Sequence, residues 1–599
     1  MADWLLIIPG EGETIRHPNR IQLAAALRCP NPEQVKIREV GGAYFYSVAE
    51  TGDDPGVVVV TRDDGQKCAV VASALLTERD NFSREIRSAG RNVTIESSDG
   101  ELLAHAVSLW GNKTWEKPGG EFSVACWMPG KKNLLMATDG EGQRPAYWSQ
   151  IKKGFVASTR FEAMLLVPMI PKEPDLNEII SALSMNYGSP EANRTYLLHV
   201  KFLLLGHALI WKNGILKIRR WWKFPSYLPA WKPNNEQEAT EIFRFNLRQS
   251  IRERLRGHKK VVISLTGGLD STPIAAELAH LRDTEGLDLE ISTLHAEYPP
   301  GLNSSEAELT RLVSNTLNIP YIGVPLENCE LWPRKKGLDM WMPHHWFGYW
   351  DTFSSEVMRH GTAVFTGRSG EIFSRASLLE LLLKGKILDI LKESSRIRKF
   401  GYDYKPWKRG AWRWQSRKPL NKMKNENIPW IMKNELTQTI INFLYHERNS
   451  WHLGNCPLHL RFIYSYMCSA GDVSTTYDYA SHRTPAMDPF SDRRLLNLAI
   501  SVEPIPWRVE KYITRVAYKG VLPNQIINRK RVTTPYFTDH QFESKRIQIR
   551  NELNLHPVLD SIIDVNEWKY TNENLVMTHK GMAWVFLLAV NNWLHNLYR

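Results

Sequence analysis

Apolar residues in the first 170 positions fall into short runs and alternations: GVVVVT at 56–61, KCAVVASA at 67–74, EFSVACW at 121–127 and NLLMATD at 133–139. Gly, Asp, Asn and Lys clusters separate them, which predicts the strands of a layered sheet domain. The stretch from Leu102 to Trp110 reads instead as a helix. FPSYLPAWKPNNEQ at 224–237 has the composition of a linker, with Asn235 placed to cap a helix that starts near Glu236. Beyond it the pattern changes. Val261, Val262, Ile263 and Leu265 predict a strand buried on both faces, STPIAAELAHL from Ser271 predicts a helix, LEISTLHAEY a second strand, and a further helix begins near Ser304, Ser305 and Glu306. Strand alternating with helix predicts an α/β unit with a parallel sheet. AWVFLLAV at 583–590 is too short to span a bilayer and reads as a buried helix.

The strand-to-helix junction VVISLTGGLDST at 261–272 carries the first candidate chemistry. Gly267 and Gly268 turn the chain without Cβ atoms, so backbone N–H groups can close on an anion. The helix from Ser271 would aim unpaired N–H groups and the positive end of its dipole at the same anion. Asp270 would repel a phosphate unless a divalent cation lies between them, and is therefore read as a Mg²⁺ ligand. A tight turn is the plain alternative for a bare glycine pair.

SLTGGLDS, from Ser264 through Leu265, Thr266, Gly267, Gly268 and Leu269 to Asp270 and Ser271, resembles the SGGxDS loop of the ATP-pyrophosphatase superfamily. No Walker loop is present. In the N-terminal part, Gly120-Glu121-Phe122, Asp139-Gly140 through Arg144-Pro145 and Tyr147, and Ala157-Ser158 resemble landmarks of the glutaminase-like domain of asparagine synthetases. Gly206 and His207 resemble the segment that closes that domain, His207 being either a catalyst or an ordinary turn histidine. AVFTGRSGEIF at 363–373 resembles the second signature of the family, S-G-x-G-x-D-E. Thr366 and Gly367 fit, Arg368 stands where relatives carry Glu, Tyr or His, and with one residue fewer Glu371 is left as the second Mg²⁺ ligand. Asp488-Pro489-Phe490-Ser491-Asp492-Arg493-Arg494 resembles P-F-L-D-x-R, followed by Lys511-Tyr512, Arg515 and Val521-Leu522-Pro523. Lys530 matches the family lysine that reaches the reaction centre, with Arg529 and Arg531 as competing cations.

The resemblance implies an inactive glutaminase-like domain at 1–225 and an asparagine synthetase-like ATP-binding domain at 236–599. It implies ATP and Mg²⁺ as cofactors, with the backbone near Leu294 and His295 lying against the adenine. In working glutaminases of this family a cysteine follows the initiator Met; here Ala2 does, so the expected amine comes from the substrate itself.

Composition adds bounds. At 599 residues the chain holds two or more cores, and 76 Lys and Arg against 64 Asp and Glu give +12, which favours anionic ligands. Six cysteines without a CxxC pair argue against a zinc ribbon or a disulfide framework, and the chain is expected in the reducing cytoplasm. Adjacent His344 and His345 lack a third ligand at metal-site spacing. The aromatic run at 332–351 suits a peptide pocket or plain core packing; eleven Lys or Arg at 396–424, opposed only by Asp403, suit an acidic partner or a solvated loop.

Taken together, these readings lead to an ATP-dependent, AMP-forming amide ligase of the lasso-peptide cyclase kind, which joins an Asp or Glu side chain of a precursor peptide to the peptide's N-terminal amine. Lys530, Asp270 and Arg368 are its expected catalytic residues. A leader-binding protein and a leader peptidase are the implied partners; neither nucleic acid nor a membrane is expected. The alternatives are a β-lactam synthetase-like enzyme, an asparagine synthetase-like ligase fed by ammonia, and a non-catalytic nucleotide-binding scaffold.

Overall fold

A computed structural model describes residues 3–10, 12–13, 15–48, 56–183, 193–223, 228–298, 305–326, 347–373, 388, 391, 485–503, 506–529, 554–564 and 579–597. The first part runs through β1 (Asp3–Ile8), α1 (Arg20–Ala26), β2 (Val35–Val40), β3 (Ala43–Val48), β4 (Val57–Thr61), β5 (Lys67–Thr77), α2 (Arg79–Ser88), α3 (Asp99–Trp110), β6 (Gly119–Met128), β7 (Asn133–Thr138), β8 (Tyr147–Ile151) and β9 (Gly154–Ser158). It continues through α4 (Phe161–Leu165), α5 (Leu176–Leu183), β10 (Lys201–Phe202), β11 (His207–Lys212) and β12 (Ile215–Arg220). Two antiparallel sheets result, ordered β10-β8-β9-β1-β3-β2 and β12-β11-β7-β6-β5-β4.

Strand alternation sorts their side chains into three apolar layers. On β1, Trp4, Leu6 and Ile8 point between the sheets with Val71, Ala125 and Met136, whereas Leu5 and Ile7 point outward with Leu23, Leu27 and Ile179. The second sheet buries Val70, Val124 and Cys126 under Phe82, Ile86, Leu103 and Val107 of α2 and α3. A capping box between Ser98 and Glu101 starts α3, as the polar entry to Leu102–Trp110 requires. The arrangement is helix layer, sheet, sheet, helix layer. The outer core of the first sheet is completed from far along the chain: Leu587, Trp593, Leu594 and Leu597 of the closing helix His579–Leu597 join it, with the Trp593 and Tyr196 rings 5.7 Å apart.

The second part holds α6 (Glu236–Arg254), β13 (Lys260–Ser264), α7 (Ser271–Asp283), β14 (Glu290–Glu297), α8 (Glu306–Thr316), β15 (Tyr321–Pro325), α9 (Phe347–His360), β16 (Ala363–Phe365), β17 (Ala486–Met487), α10 (Arg493–Ser501) and α11 (Tyr512–Ala517). Asn235 caps α6 as its position suggested, accepting from the Glu238 N–H at 2.9 Å. The five strands are parallel in the order β15-β14-β13-β16-β17, so the protein is mixed α/β with a β-rich first part and a parallel sheet in the second. Val261 and Ile263 face one apolar core and Val262 the other, which explains the unbroken hydrophobic run. Each such fully buried aliphatic side chain contributes about 1.5–3 kcal/mol.

The strand order reverses direction at β13: β14 and β15 lie on one side, β16 and β17 on the other. Ligands in such sheets settle beyond the carboxyl ends of the strands at this switch point. Both glycine-bearing loops, 265–270 after β13 and 366–370 after β16, emerge there.

The two parts meet across a polar seam. Arg254, 1 % exposed at the end of α6, pairs with Glu121 of β6 at 3.1 Å and with Asp492 at 3.2 Å, and Glu121 also pairs with Arg144 at 3.1 Å. Burial alone would raise the Asp492 carboxyl, but its bonds to Arg494 and the nearby Arg254 outweigh this and hold it below its usual range. Arg493 reaches Glu141 at 3.6 Å, and Arg256 of the second part donates to Asp99 of the first at 3.2 Å. No helix among the described residues is long and apolar enough to cross a membrane.

Candidate active site

The first loop continues the sheet ladder for one residue past β13, because the Leu265 N–H donates to Leu294 O at 2.9 Å. His295 Nδ1–H then donates to Leu265 O at 2.8 Å, and burial lowers its pKa, so the ring is a neutral strut under the loop rather than a ligand. The turn itself is closed internally. Ser271 Oγ lies 3.3 Å from the Thr266 N–H, and Thr272 Oγ1 donates to Gly268 O at 2.9 Å. Gly267 has φ +62°, and a Cβ there would stand 2.8 Å from Leu309 of α8, so both conformation and space demand glycine. Leu269 and Ser271 are buried, leaving Asp270 as the polar side chain at the mouth of α7.

The second loop packs directly on the first. A Cβ on Gly367 would meet the backbone of Asp270 and Ser271 at 2.6 Å, and one on Gly370 would meet Asp270 Oδ1 at 2.3 Å. Asp270, Thr366 and Gly367 are thus brought together. Glu371 follows on the single turn Gly370–Phe373, one residue beyond the contact with Asp270. Thr366 Oγ1 donates to Asp488, and the Arg368 guanidinium stands 3.7 Å from the same carboxylate. Burial raises the Asp488 carboxyl, against the opposing pull of Arg368. Arg368 is therefore tied to an acid beside the loop.

The cation at Asp270 is one that the sequence reading named as a landmark but gave no role. Lys511 Nζ lies 2.5 Å from both Asp270 oxygens, whereas Lys530, matched to the reaction-centre lysine, lies outside the described residues. Arg529 is described, and donates to Thr266 O and to Glu306 of α8, both at 3.1 Å. Lys511 was legible as part of the Lys511-Tyr512 landmark, but its place beside Asp270 was not. What marks it is its backbone. Glu510 and Lys511 are consecutive non-glycine residues at φ +48° and +60°, a conformation that costs energy and persists only where the surroundings impose it. His207 opens β11, with Nδ1 2.8 Å from Leu205 O and its pKa lowered by burial, which is the geometry of a turn histidine.

Among the described residues no three His, Cys, Asp or Glu side chains gather as a metal site. A Mg²⁺ bound through one or two carboxylates and substrate phosphates needs no such cage. Asp270 stands at the loop mouth as such binding requires, and in this structure its carboxylate is paired with Lys511. The aromatic run at 332–351, with His344 and His345, lies outside the described residues except for its last five positions; all of 396–424 lies outside them.

Comparison with known proteins agrees with this geometry. Residues 68–222 match the glutamine amidotransferase domain family and residues 243–333 the asparagine synthase family. The chain is 23% identical over 222 residues to asparagine synthetase (glutamine-hydrolyzing) 3 of Bacillus subtilis (strain 168), covering 37% of this chain and 35% of the relative. It is 21% identical over 269 residues to asparagine synthetase (glutamine-hydrolyzing) 2 of the same organism, covering 43% and 35%, and 21% identical over 252 residues to amidase chyE of Penicillium rubens, covering 40% and 36%. The chain spans about a third of the length of the curated relatives it matches. A glutamine amidotransferase-type segment followed by an asparagine synthase-type segment is the order in which the chain resembles asparagine synthetases.

Proposed function

We propose that the protein is an ATP-dependent, AMP-forming amide ligase, and that its substrate is a precursor peptide closed into a lasso-type ring through an isopeptide bond. The observation that carries the ligase reading is the meeting of Lys511 with Asp270 at the N-terminus of α7, inside two interlocked glycine loops. Loop N–H groups and the helix end would hold the phosphates. Mg²⁺, held by Asp270 with Glu371, would neutralise charge on the leaving pyrophosphate. The substrate carboxylate attacks the α-phosphorus and pyrophosphate departs, leaving an acyl-adenylate. The amine then attacks the acyl carbon, AMP leaves, and the amine's proton passes to solvent or a nearby base. Lys511, set free of Asp270, would offset the negative charge that develops in both steps.

Two features support an amine carried by the substrate. The described cysteines Cys29, Cys68 and Cys126 are all buried, and position 2, where working glutaminases of the resembled family carry the nucleophilic cysteine, is Ala2. Arg368 replaces the residue that small-acid relatives carry at the second signature, and the aromatic and basic stretches suit a peptide. The curated relatives favour a second reading, amide formation from aspartate and ammonia.

Mass spectrometry of a candidate core peptide incubated with the protein, ATP and Mg²⁺ tests both. A product lighter by one water, resistant to N-terminal labelling and formed without a nitrogen donor, is expected. Asparagine made from aspartate and ammonium would establish the second reading instead, and an absence of pyrophosphate release with either substrate would overturn the ligase reading.

A further inference from the structure

We infer that Arg515 is a positioning residue that sets both cations of the nucleotide loop, Lys511 and Arg529, through their backbones; this rests on the ligase reading only for its effect on ATP. Arg515 is 5 % exposed and lies one helical turn after Lys511. Its Nε donates to Glu510 O at 2.7 Å, Nη1 to Ile527 O, and Nη2 to Arg529 O at 3.1 Å. Burial lowers its pKa to about 10, partly offset by Glu510, so it remains charged at neutral pH.

The carbonyl of Glu510 shares a peptide plane with the Lys511 N–H, so the Nε bond fixes the plane that launches Lys511. Both residues are left-handed, and left-handed backbone at two successive L-residues relaxes unless something holds it. The other arm of the guanidinium fixes the Arg529 carbonyl, and the Arg529 side chain in turn holds Thr266 O of the phosphate loop. One planar fork therefore joins the segment that meets Asp270 to the segment that meets Thr266, a task suited to the rigid geometry of arginine and not to lysine. The far end of α11 is secured separately. Tyr518 Oη donates to Glu277 at 2.9 Å, and Glu277 also pairs with Arg244 at 2.7 Å and Arg248 at 2.6 Å. Replacing Arg515 should free the two loop segments while α11 stays docked.

The test compares Arg515→Met and Arg515→Lys in the full chain, with Tyr518→Phe as the variant that loosens α11 without touching the fork. Hydrogen exchange of the unliganded proteins should show faster exchange in peptides covering 508–513 and 527–529 for both Arg515 variants, least for Arg515→Lys, and not for Tyr518→Phe. ATP titrations should show affinity lowered roughly tenfold by Arg515→Met, the scale of losing one charged contact, and little further loss when it is added to Lys511→Met. Unchanged exchange in those peptides would overturn the inference, as would losses that multiply in the double variant. Should the parent protein fail to bind ATP, the ligase reading falls, and the exchange data still decide the role of Arg515.

Discussion

Lys511 Nζ and the two carboxylate oxygens of Asp270 come within 2.5 Å although 241 residues separate them. An ammonium occupies the place where the sequence reading expects a divalent ion; on the proposed ligase reading the two cations would share one carboxylate in turn. Lys511→Met should lower turnover by about 10²–10³, the usual loss for one electrostatic contact, with ATP affinity changed less. Asp270→Asn should abolish Mg²⁺-dependent pyrophosphate exchange and leave the melting temperature near that of the parent. Near-normal turnover in Lys511→Met, with a large loss in Lys530→Ala, would move the role to Lys530.

Gly370 is where the second loop touches Asp270. A Cβ there would stand 2.3 Å from Oδ1, so Gly370→Ala must push the carboxylate off Lys511. Pyrophosphate exchange should fall at least tenfold, while circular dichroism and the urea midpoint stay close to the parent values. Full activity in this variant would show that the carboxylate position does not matter.

Arg254 is the most buried cation of the seam and serves acids from both parts of the chain. Arg254→Met leaves Glu121 and Asp492 without it, and removing one partner of a buried ionic network costs about 3–5 kcal/mol. Chemical denaturation should show that loss. A change under 1 kcal/mol would mean that water reaches the seam once the arginine is gone.

Glu141 gives the seam a pH dependence. Burial raises its carboxyl to about 8 against the pull of Arg493, with Asp139 and Asp492 adding to the rise, and burial raises Asp139 to about 6. Between the ordinary carboxyl range and pH 8 the folded chain keeps a proton at Glu141 that the unfolded chain releases, so stability falls as pH rises through that window. The slope from one group is at most about 1.4 kcal/mol per pH unit. Glu141→Gln should flatten the urea-midpoint profile between pH 6 and 8; an unaltered profile would show that Glu141 ionises normally.

Much of this architecture was legible because it rests on local pattern. Val261 to Ile263 announced a strand covered on both faces, the glycine pair announced the turn into the next helix, and Asn235 announced a helix start. Lys511 and Arg515 were not legible as a working pair. Their roles depend on a left-handed backbone at two non-glycine residues and on carbonyl acceptors, and a carbonyl has no residue identity to read. The seam was equally hidden, since Glu121, Arg254 and Asp492 become partners only through tertiary folding.

Trp593 and Leu594 share an apolar core with Leu5 and Ile7, so the outer face of the first sheet is completed by residues made more than 580 positions later. While synthesis is under way, that face has no cover from the closing helix, and a strand bearing Leu5 and Ile7 must wait with its greasy side wet. Closing so long a loop adds only a logarithmic entropic term, yet the delay leaves an adhesive surface exposed until the distant helix has been made. The consequence is a kinetic one: the outer face of the first sheet is open to wrong contacts for as long as the intervening residues are being added.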